Sequence, residues 1–177
     1  MAEDISNPAY WDVRASKPQT EGNEHQAVYI CPRKTWMEIE GKHEQLLQKY
    51  VGDNTSVFDA GCAWGRLLDL LPPTWNSHYL GVDLSPSFID KARHLHLYPR
   101  RSMSVAFHVH SLLDLSAFYS LMRDGPEYDL AVCVSIRAMV IRNSGHDAWH
   151  TMETEIRKVA KRILYLEYDE TCEGVLE

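Results

Sequence analysis

The sequence predicts an α/β protein in which a mostly parallel five-stranded sheet is doubly wound, with helices on both faces. Five apolar segments are typical of strands, and segments with helical periodicity separate them. The segment Tyr128–Val134 indicates a strand in the middle of a parallel sheet, because it is an almost continuous apolar run. Right-handed crossovers between such strands place the ligand crevice at their carboxyl ends, where the strand order reverses.

The predicted strands are Ser56–Ala60, His78–Asp83, Val105–His110, Tyr128–Val134 and Ile163–Tyr168. The predicted helices between them are Arg66–Leu71, Ser85 to about Leu97, and Ser116–Met122. A further helix carries on one face Trp149, Met152, Ile156 and Val159. Before the first strand, an amphipathic helix is expected to begin at its N-cap Thr35 and to end before Gly52.

The chain divides into a short N-terminal arm, residues 1–34, and one domain, residues 35–177. The domain is long enough to bury a full core without disulfides or metals. The arm contains Pro8, Pro18 and Pro32, which predict irregular structure with at most short helices. It either covers an exposed sheet edge or closes as a lid over a ligand.

Composition and charge disfavour several classes of protein. The chain has 18 basic and 25 acidic residues and a net charge of −7, the wrong sign for holding nucleic acid by its phosphates. The four cysteines lie far apart without CxxC spacing, which favours reduced thiols in a cytoplasmic protein. The first 30 residues contain no apolar run typical of a signal peptide, and no apolar run is long enough to span a membrane, so a protein that does not span a membrane is expected.

The residues with the clearest chemical meaning end the first two strands. Asp59 precedes a turn of small residues from Gly61 to Gly65, which lets a ligand approach the main chain. Asp83 ends the second strand 22 residues after Gly61, a spacing at which a carboxylate accepts hydrogen bonds from both hydroxyls of a ribose. Because Asp59 would repel a pyrophosphate, the pattern favours a nucleoside ligand that carries an ammonium.

These motifs resemble those of the class I S-adenosylmethionine-dependent methyltransferases, which have a Rossmann-like fold. The first family motif is similar to VFDAGCAWGRLLDLL, and the second, with its ribose-binding acid, to YLGVDLSPSFIDKAR. Later motifs agree in order and spacing with FHVHSLLDL, YDLAVCVSI and HTMETEIRKVAKRILYLEY. The resemblance covers about residues 35–168 and implies S-adenosyl-L-methionine as the cofactor.

The resemblance implies roles for the residues that match the first two motifs. Asp59 would hold the methionine amino group through water. The turn residues Gly61, Cys62 and Gly65 would supply backbone near the methionine part. Asp83 would accept hydrogen bonds from the ribose hydroxyls.

Further implied contacts follow the second, third and fourth strands. Leu84 and Leu112 would lie against the two faces of the adenine, and Ser111 would lie beside its amino group. Val134 and Ser135 would border the transferable methyl. All of these residues are predicted at the carboxyl edge of the sheet.

The sequence departs from the family pattern in three ways. Ala63 replaces the middle glycine, which the turn tolerates if its dihedral angles are ordinary. Ser111 stands where an acid is usual. The chain ends soon after the fifth strand, so the terminal antiparallel strand pair is expected to be missing. Substrate contacts would then come from the arm, the loop after the fourth strand or a partner chain, and a homodimer would cover the open sheet edge.

Methyl transfer to a small-molecule or peptide-like acceptor is the predicted activity. His146 and His150 are spaced i, i+4 and are the predicted general bases, although ordinary surface positions are an alternative. Two histidines without a third ligand do not predict a metal site. Arg137 and Arg142, in the predicted loop after the fourth strand, would bind an anionic substrate.

Two other functions stay open. The departures at Ala63 and Ser111 fit a non-catalytic S-adenosylmethionine-binding or scaffold protein with the same fold. RNA methylation is the less favoured alternative, and it would use a basic cluster, Lys91, Arg93, Arg100 and Arg101.

Overall fold

The computed structural model describes residues 33–97, 104–122, 128–166 and 174–176. The predicted arm lies outside the described residues except for Arg33 and Lys34, which begin the first helix. The roles considered for the arm therefore stay predictions.

Five helices and six strands make up the described part of the chain. The helices are α1 (Arg33–Tyr50), α2 (Arg66–Leu70), α3 (Pro86–Leu95), α4 (Leu115–Met122) and α5 (Ile136–Arg157). The strands are β1 (Val57–Ala60), β2 (His78–Asp83), β3 (Ser104–Val109), β4 (Leu130–Val134), β5 (Ile163–Leu166) and β6 (Gly174–Leu176). The predicted strands β1 to β5 are all present, and within the described residues their boundaries differ from the prediction by two residues at most. The last two residues of the predicted fifth strand, 167 and 168, lie outside the described residues.

The strand order is β3-β2-β1-β4-β5-β6, and strands β1 to β5 are parallel. This confirms the predicted sheet of five parallel strands with helices on both faces. The order reverses between β1 and β4, where Val57 lies opposite Leu130 and Ala60 opposite Cys133. In such a sheet the ligand crevice lies above the carboxyl ends of these neighbouring strands.

The edge beyond β5 differs from the prediction. A sixth strand, β6, pairs antiparallel with β5, so one antiparallel strand is present where the sequence predicted none. Ile163 lies opposite Leu176 and Tyr165 opposite Gly174 in this pair. Three residues are too few for an alternating pattern to be recognised in the sequence, which is why this strand was missed.

A hydrophobic layer covers each face of the sheet. The first layer packs side chains of α4 and α5, such as Leu115 and Trp149, against alternate strand residues. The second packs side chains of α1, α2 and α3, such as Leu47, Leu67 and Ile89, against the other strand residues. The alternation along the buried strands sends each side chain to one of the two layers, as a sheet covered on both faces requires.

The segment after β4 is helical, which corrects the predicted loop. Helix α5 begins at Ile136 and is interrupted only at Gly145, where φ is 84° and ψ is 174°. Its first part packs Ile136, Met139 and Val140 on the first hydrophobic layer, at i, i+3 and i+4 spacing. Burial of this apolar stripe explains why a helix forms where the sequence suggested a loop.

The start of α3 agrees with the prediction and positions the end of β2. The Ser85 hydroxyl accepts a hydrogen bond from the Phe88 N–H at 3.2 Å, and Pro86 is the first helical residue. The strand therefore passes into the helix within two residues after Asp83. The carboxylate of Asp83 is held at the edge of the sheet by this short connection.

Candidate functional site

The glycine turn after β1 bends back onto β2. The N–H groups of Gly61 and Cys62 both donate to the Val82 carbonyl, at 2.8 and 3.1 Å. Gly61 has a φ of 74°, and a Cβ there would overlap the Ile136 side chain. Gly65 has a φ of 79°, and a Cβ there would lie 2.8 Å from the Phe107 ring. Both positions therefore require glycine.

Ala63 lies in the left-handed region, with a φ of 46°. The sequence predicts that the turn tolerates alanine if its dihedral angles are ordinary, and they are not. The methyl group of Ala63 therefore strains the backbone. The Ala63 N–H donates to Asp83 Oδ2 at 2.9 Å, and this bond holds the strained residue in place. Asp83 Oδ1 accepts from the Ser85 N–H, also at 2.9 Å. The acid at the end of β2 thus ties the glycine turn to the start of α3.

Asp59 is buried in β1, with 2% of its surface exposed. Its Oδ2 accepts a hydrogen bond from the Tyr79 hydroxyl. Burial raises the pKa of this carboxyl to about 7, the Tyr79 hydrogen bond opposes the rise, and the nearby charge of Asp83 adds to it. Burial also raises the pKa of the neighbouring Cys62 thiol, so Cys62 is not an activated nucleophile.

Apolar side chains flank Asp83 at the carboxyl edge. Leu84 is half-buried, Leu112 is buried, and the His110 N–H donates to the Asp83 carbonyl at 3.0 Å, which joins the ends of β2 and β3. The Ser111 hydroxyl accepts from the Leu113 N–H at 3.2 Å, so its oxygen already closes a local turn. Of the predicted adenine contacts, Leu84 directly follows β2 and Leu112 follows β3, the neighbouring strand, so both lie at the carboxyl edge of the sheet.

The end of β4 carries a second strained residue. Val134 is half-buried, and Ser135 is buried with a φ of 57°. The Ser135 N–H donates to the Leu166 carbonyl at 2.8 Å, but its hydroxyl has no hydrogen-bond partner among the described residues. Strained backbone and an unsatisfied buried polar group at a strand end are features of functional sites.

The predicted substrate-binding and catalytic residues all lie on α5. Arg137 is half-buried, and its Cζ lies 5.6 Å from the centroid of the Tyr165 ring, as in a cation–π contact. Arg142 is exposed, as are His146, which follows the break at Gly145, and His150 one turn later. Within the described ranges no group of three or more potential metal ligands occurs.

Two members of the predicted basic cluster make intramolecular contacts. The Lys91 Nζ lies 4.7 Å from the centroid of the Trp64 ring. Arg93 donates twice to the Phe107 carbonyl, at 2.7 and 3.1 Å. Arg100 and Arg101 lie outside the described residues.

Sequence reasoning missed two residues that shape this edge. Ile136 fills the space beside Gly61, and Tyr79 bonds Asp59. Tyr79 could have been found, because a tyrosine inside a fully buried strand needs a partner for its hydroxyl, and Asp59 faces the same side of the sheet. Ile136 carried no signal, since its segment was expected to be a loop.

The strand order, the parallel pairing and the glycine turn at the reversal of that order are those of a Rossmann-like fold, which the class I S-adenosylmethionine-dependent methyltransferases share. A family model described as a methyltransferase domain matches residues 57–162. This is more than half of the chain, and the chain belongs to that family. No curated protein sequence matches it significantly.

Solved structures of methyltransferases share the fold. Magnesium protoporphyrin IX methyltransferase from Synechocystis PCC 6803, with bound SAM, is 17% identical with a TM-score of 0.58, over 89% of this chain and 68% of that chain. An S-adenosylmethionine-dependent methyltransferase from Clostridium acetobutylicum ATCC 824 is 15% identical with a TM-score of 0.54, over 80% and 53%. The bifunctional kinase-methyltransferase WbdD is 20% identical with a TM-score of 0.50, over 81% and 31%.

At these identities the likeness to solved structures establishes the fold alone. The chain spans 68% of the first neighbour's length and 31% of WbdD. No helix in the described ranges is long and apolar enough to cross a membrane.

Proposed function

We propose that this chain binds S-adenosylmethionine at the carboxyl ends of β1, β2 and β4 and transfers its methyl group to an acceptor. The observation that carries the proposal is the hydrogen bond from the glycine turn to the acid that ends β2, Ala63 N–H to Asp83 Oδ2. It brings the residue types that suit a ribose and an amino acid to one edge. The membership of the methyltransferase family and the neighbours with bound SAM support the same cofactor.

Side chains at the carboxyl edge of the sheet match the chemical groups of the cofactor one by one. The cofactor carries an ammonium, a ribose diol and an adenine, which correspond to Asp59, Asp83 and the pair Leu84 and Leu112. The Ser135 hydroxyl, which has no partner among the described residues, supplies one more polar atom at the end of β4, where the methyl would lie. The fit therefore rests on this chain's own side chains as well as on the family.

When bound, the cofactor supplies a methyl group activated by its sulfonium. The work of the chain is then to hold the acceptor in line with that methyl and to keep water away. A general base is needed only when the acceptor must lose a proton. His146 and His150 are proposed for that step, and exchange of either for alanine should lower the rate of transfer while leaving cofactor affinity unchanged.

The proposed acceptor is a small molecule or a peptide-like group with a negative charge. Arg137 supports this, because its contact with the Tyr165 ring holds a half-buried guanidinium beside the end of β4. Arg142 lies on the same part of α5 and is exposed. Exchange of Arg137 for methionine should raise KM for an anionic acceptor and leave cofactor affinity within about twofold.

Calorimetric titration with S-adenosylmethionine and S-adenosylhomocysteine tests the cofactor proposal. The wild type should bind both, and Asp83→Ala should weaken binding at least about thirtyfold, as expected when hydrogen bonds from two hydroxyls to a carboxylate are lost. Asp90→Ala is the matched control, because Asp90 is an exposed acid on α3 whose side chain is 78% accessible. Equal affinity in all three proteins, or none in the wild type, would refute the proposal.

A non-catalytic binding protein is the second candidate, and the strained Ala63 favours it, since the usual residue at this position is glycine. Such a protein would bind the cofactor without consuming it. Radiolabelled methyl groups would then stay on the cofactor in cell extracts. Copurified S-adenosylhomocysteine, the product of transfer, would instead favour an enzyme.

A further inference from the structure

Tyr79 is a buried residue next to the proposed site, and the proposed function gives it no role. It lies on β2, two residues before Gly81, which pairs with Asp59 of β1. Tyr79 and Asp59 therefore point to the same face of the sheet from neighbouring strands. The Phe107 and Cys62 side chains fill the space where a side chain of Gly81 would lie, and the Tyr79 hydroxyl donates to Asp59 Oδ2.

The Tyr79 ring is held in one position. It is 1% exposed and packs edge-on against the Phe107 ring, with centroids 5.6 Å apart. The Phe107 ring in turn stacks on His96 at 5.6 Å. Burial raises the pKa of the Tyr79 phenol well above its ordinary value, and the charge of Asp59 adds to this. The hydroxyl therefore keeps its proton and stays a donor at every physiological pH.

We propose that Tyr79 is a positioning residue of the cofactor site: its hydroxyl binds one oxygen of the Asp59 carboxylate and aligns the other for the ammonium of the methionine part. The inference rests on the proposed cofactor, and it adds a residue of β2 to the recognition of the ligand's amino acid end. Tyr79 itself does not touch the ligand.

The electrostatics around Asp59 explain why such a residue is needed. Burial and the charge of Asp83 both disfavour the carboxylate, and the Tyr79 hydrogen bond is the favourable contribution. Burial raises the pKa of the Cys62 thiol, which therefore stays neutral. The negative charge of Asp69 on α2 helps to raise the pKa of Tyr79. On the same side of the sheet, helix α1 carries another titratable residue, the buried His43, one turn before the core residue Leu47. Without the hydroxyl, the carboxyl would hold its proton to higher pH and would lose its affinity for an ammonium.

The test compares S-adenosylhomocysteine with 5′-methylthioadenosine between pH 5.5 and 8.5. The second ligand has the same adenosine and thioether but no amino acid group, so it reports on the rest of the site. In the wild type, affinity for S-adenosylhomocysteine should fall about tenfold per pH unit below the titration of Asp59, and affinity for 5′-methylthioadenosine should not change.

Tyr79→Phe removes only the hydroxyl, and it should move the midpoint of this pH dependence upward by about one unit. S-adenosylhomocysteine should then bind about tenfold more weakly at pH 6 and almost equally at pH 8.5. Asp59→Asn should abolish the pH dependence, and Asp59→Asn with Tyr79→Phe should bind like Asp59→Asn alone. These outcomes would establish that Tyr79 acts through Asp59.

A merely structural role for Tyr79 predicts a different result, in which Tyr79→Phe weakens both ligands equally at all pH values. That result, or an unchanged midpoint, would overturn the inference. If Tyr79→Phe does not fold, 3-fluorotyrosine at position 79 keeps the ring and makes the hydroxyl a stronger donor. The midpoint should then move to lower pH, and an unmoved midpoint would again contradict the inference. A wild type that binds neither ligand would instead refute the proposed cofactor.

Discussion

The two ends of β1 hold acids in opposite states. At the amino end, Asp129, which precedes the neighbouring strand β4, accepts hydrogen bonds from the Ser56 N–H at 3.0 Å and the Ser56 hydroxyl at 2.8 Å, and it pairs with Lys161 at 2.9 Å. The Ser56 N–H and Lys161 lower the pKa of Asp129 to about 2. At the carboxyl end of the strand, burial raises the pKa of Asp59 to about 7. The fold therefore favours the charged form of Asp129 and disfavours the charged form of Asp59.

This difference separates the part of the molecule that maintains the fold from the part that is built for a ligand. Both non-glycine residues with positive φ in the described ranges, Ala63 and Ser135, lie at the carboxyl edge. The Ser135 hydroxyl, without a partner in those ranges, lies there too. The Tyr165 hydroxyl on β5 is the other buried side-chain group without a partner in those ranges. Strained backbone reduces stability, so its presence at Ala63 and Ser135 favours a binding role for this edge.

The largest effect is expected from an added methyl group at the carboxyl end. Gly61→Ala should lower the free energy of unfolding by about 3 kcal/mol, because the new Cβ meets Ile136 and the backbone has a positive φ. Gly41→Ala is the control with the opposite sign. Gly41 lies inside α1, where an added Cβ would project into open space, and alanine there should add up to about 1 kcal/mol. Chemical denaturation measures both.

The two contributions at Gly61 can be separated by a double variant. Gly61→Ala with Ile136→Ala removes the overlapping side chain and should recover part of the loss, after correction for Ile136→Ala alone. A Gly61→Ala variant as stable as the wild type would contradict the close contact between the turn and the Ile136 side chain of α5.

The second prediction concerns the same substitution at the two acids. Asp59→Asn should increase the free energy of unfolding by about 2 kcal/mol at pH 8, because it removes a buried charge. Asp129→Asn should decrease it by about 1 kcal/mol, a value reduced for solvent screening because 37% of that side chain is exposed.

The pH dependence gives each effect its sign. Asp59 has a raised pKa in the fold, so its contribution to stability is present below pH 4 and is lost as the pH rises through about 7. Asp129 has a lowered pKa, so its contribution is present above pH 4 and is lost as the pH falls to about 2. Thermal unfolding of both variants from pH 3 to 8 measures this. Equal signs at pH 8 would remove the contrast between the two ends of β1.

The smallest effect is expected at Ala63. Ala63→Gly should stabilise the protein by about 0.5 kcal/mol, since relief of the left-handed strain exceeds the greater freedom of glycine in the unfolded chain. Ala60→Gly, in the buried strand next to the turn, should instead cost about 1 kcal/mol. Loss of stability in Ala63→Gly would mean that the turn is not strained.

The fold could be predicted because its signals are local. The apolar strands, the Ser85 cap and the glycine turn each leave a pattern within a few residues. The class of ligand could be predicted for the same reason, since Asp59 and Asp83 stand at the ends of neighbouring apolar segments, and the resemblance of the first two motifs to the family implied the cofactor itself.

The missed features depend on contacts between distant residues. The helix that begins at Ile136 is stabilised by packing on the first hydrophobic layer, and the short β6 exists only as a partner of β5. The hydrogen bond between Tyr79 and Asp59 joins two strands that are distant in the sequence. The acceptor could not be predicted, because no contact within the described ranges ties the exposed histidines of α5 to the other residues of the proposed site.

On the proposed function, the ligand binds at the carboxyl end of β1 and leaves the amino end unaffected. Titration of the ¹⁵N-labelled protein with S-adenosylhomocysteine, followed by amide chemical shifts, tests it residue by residue. We expect large changes at Gly61, Ala63 and Leu84 and no significant change at Ser56 or Asp129. Changes confined to the amino end, or no change at saturating ligand, would contradict it.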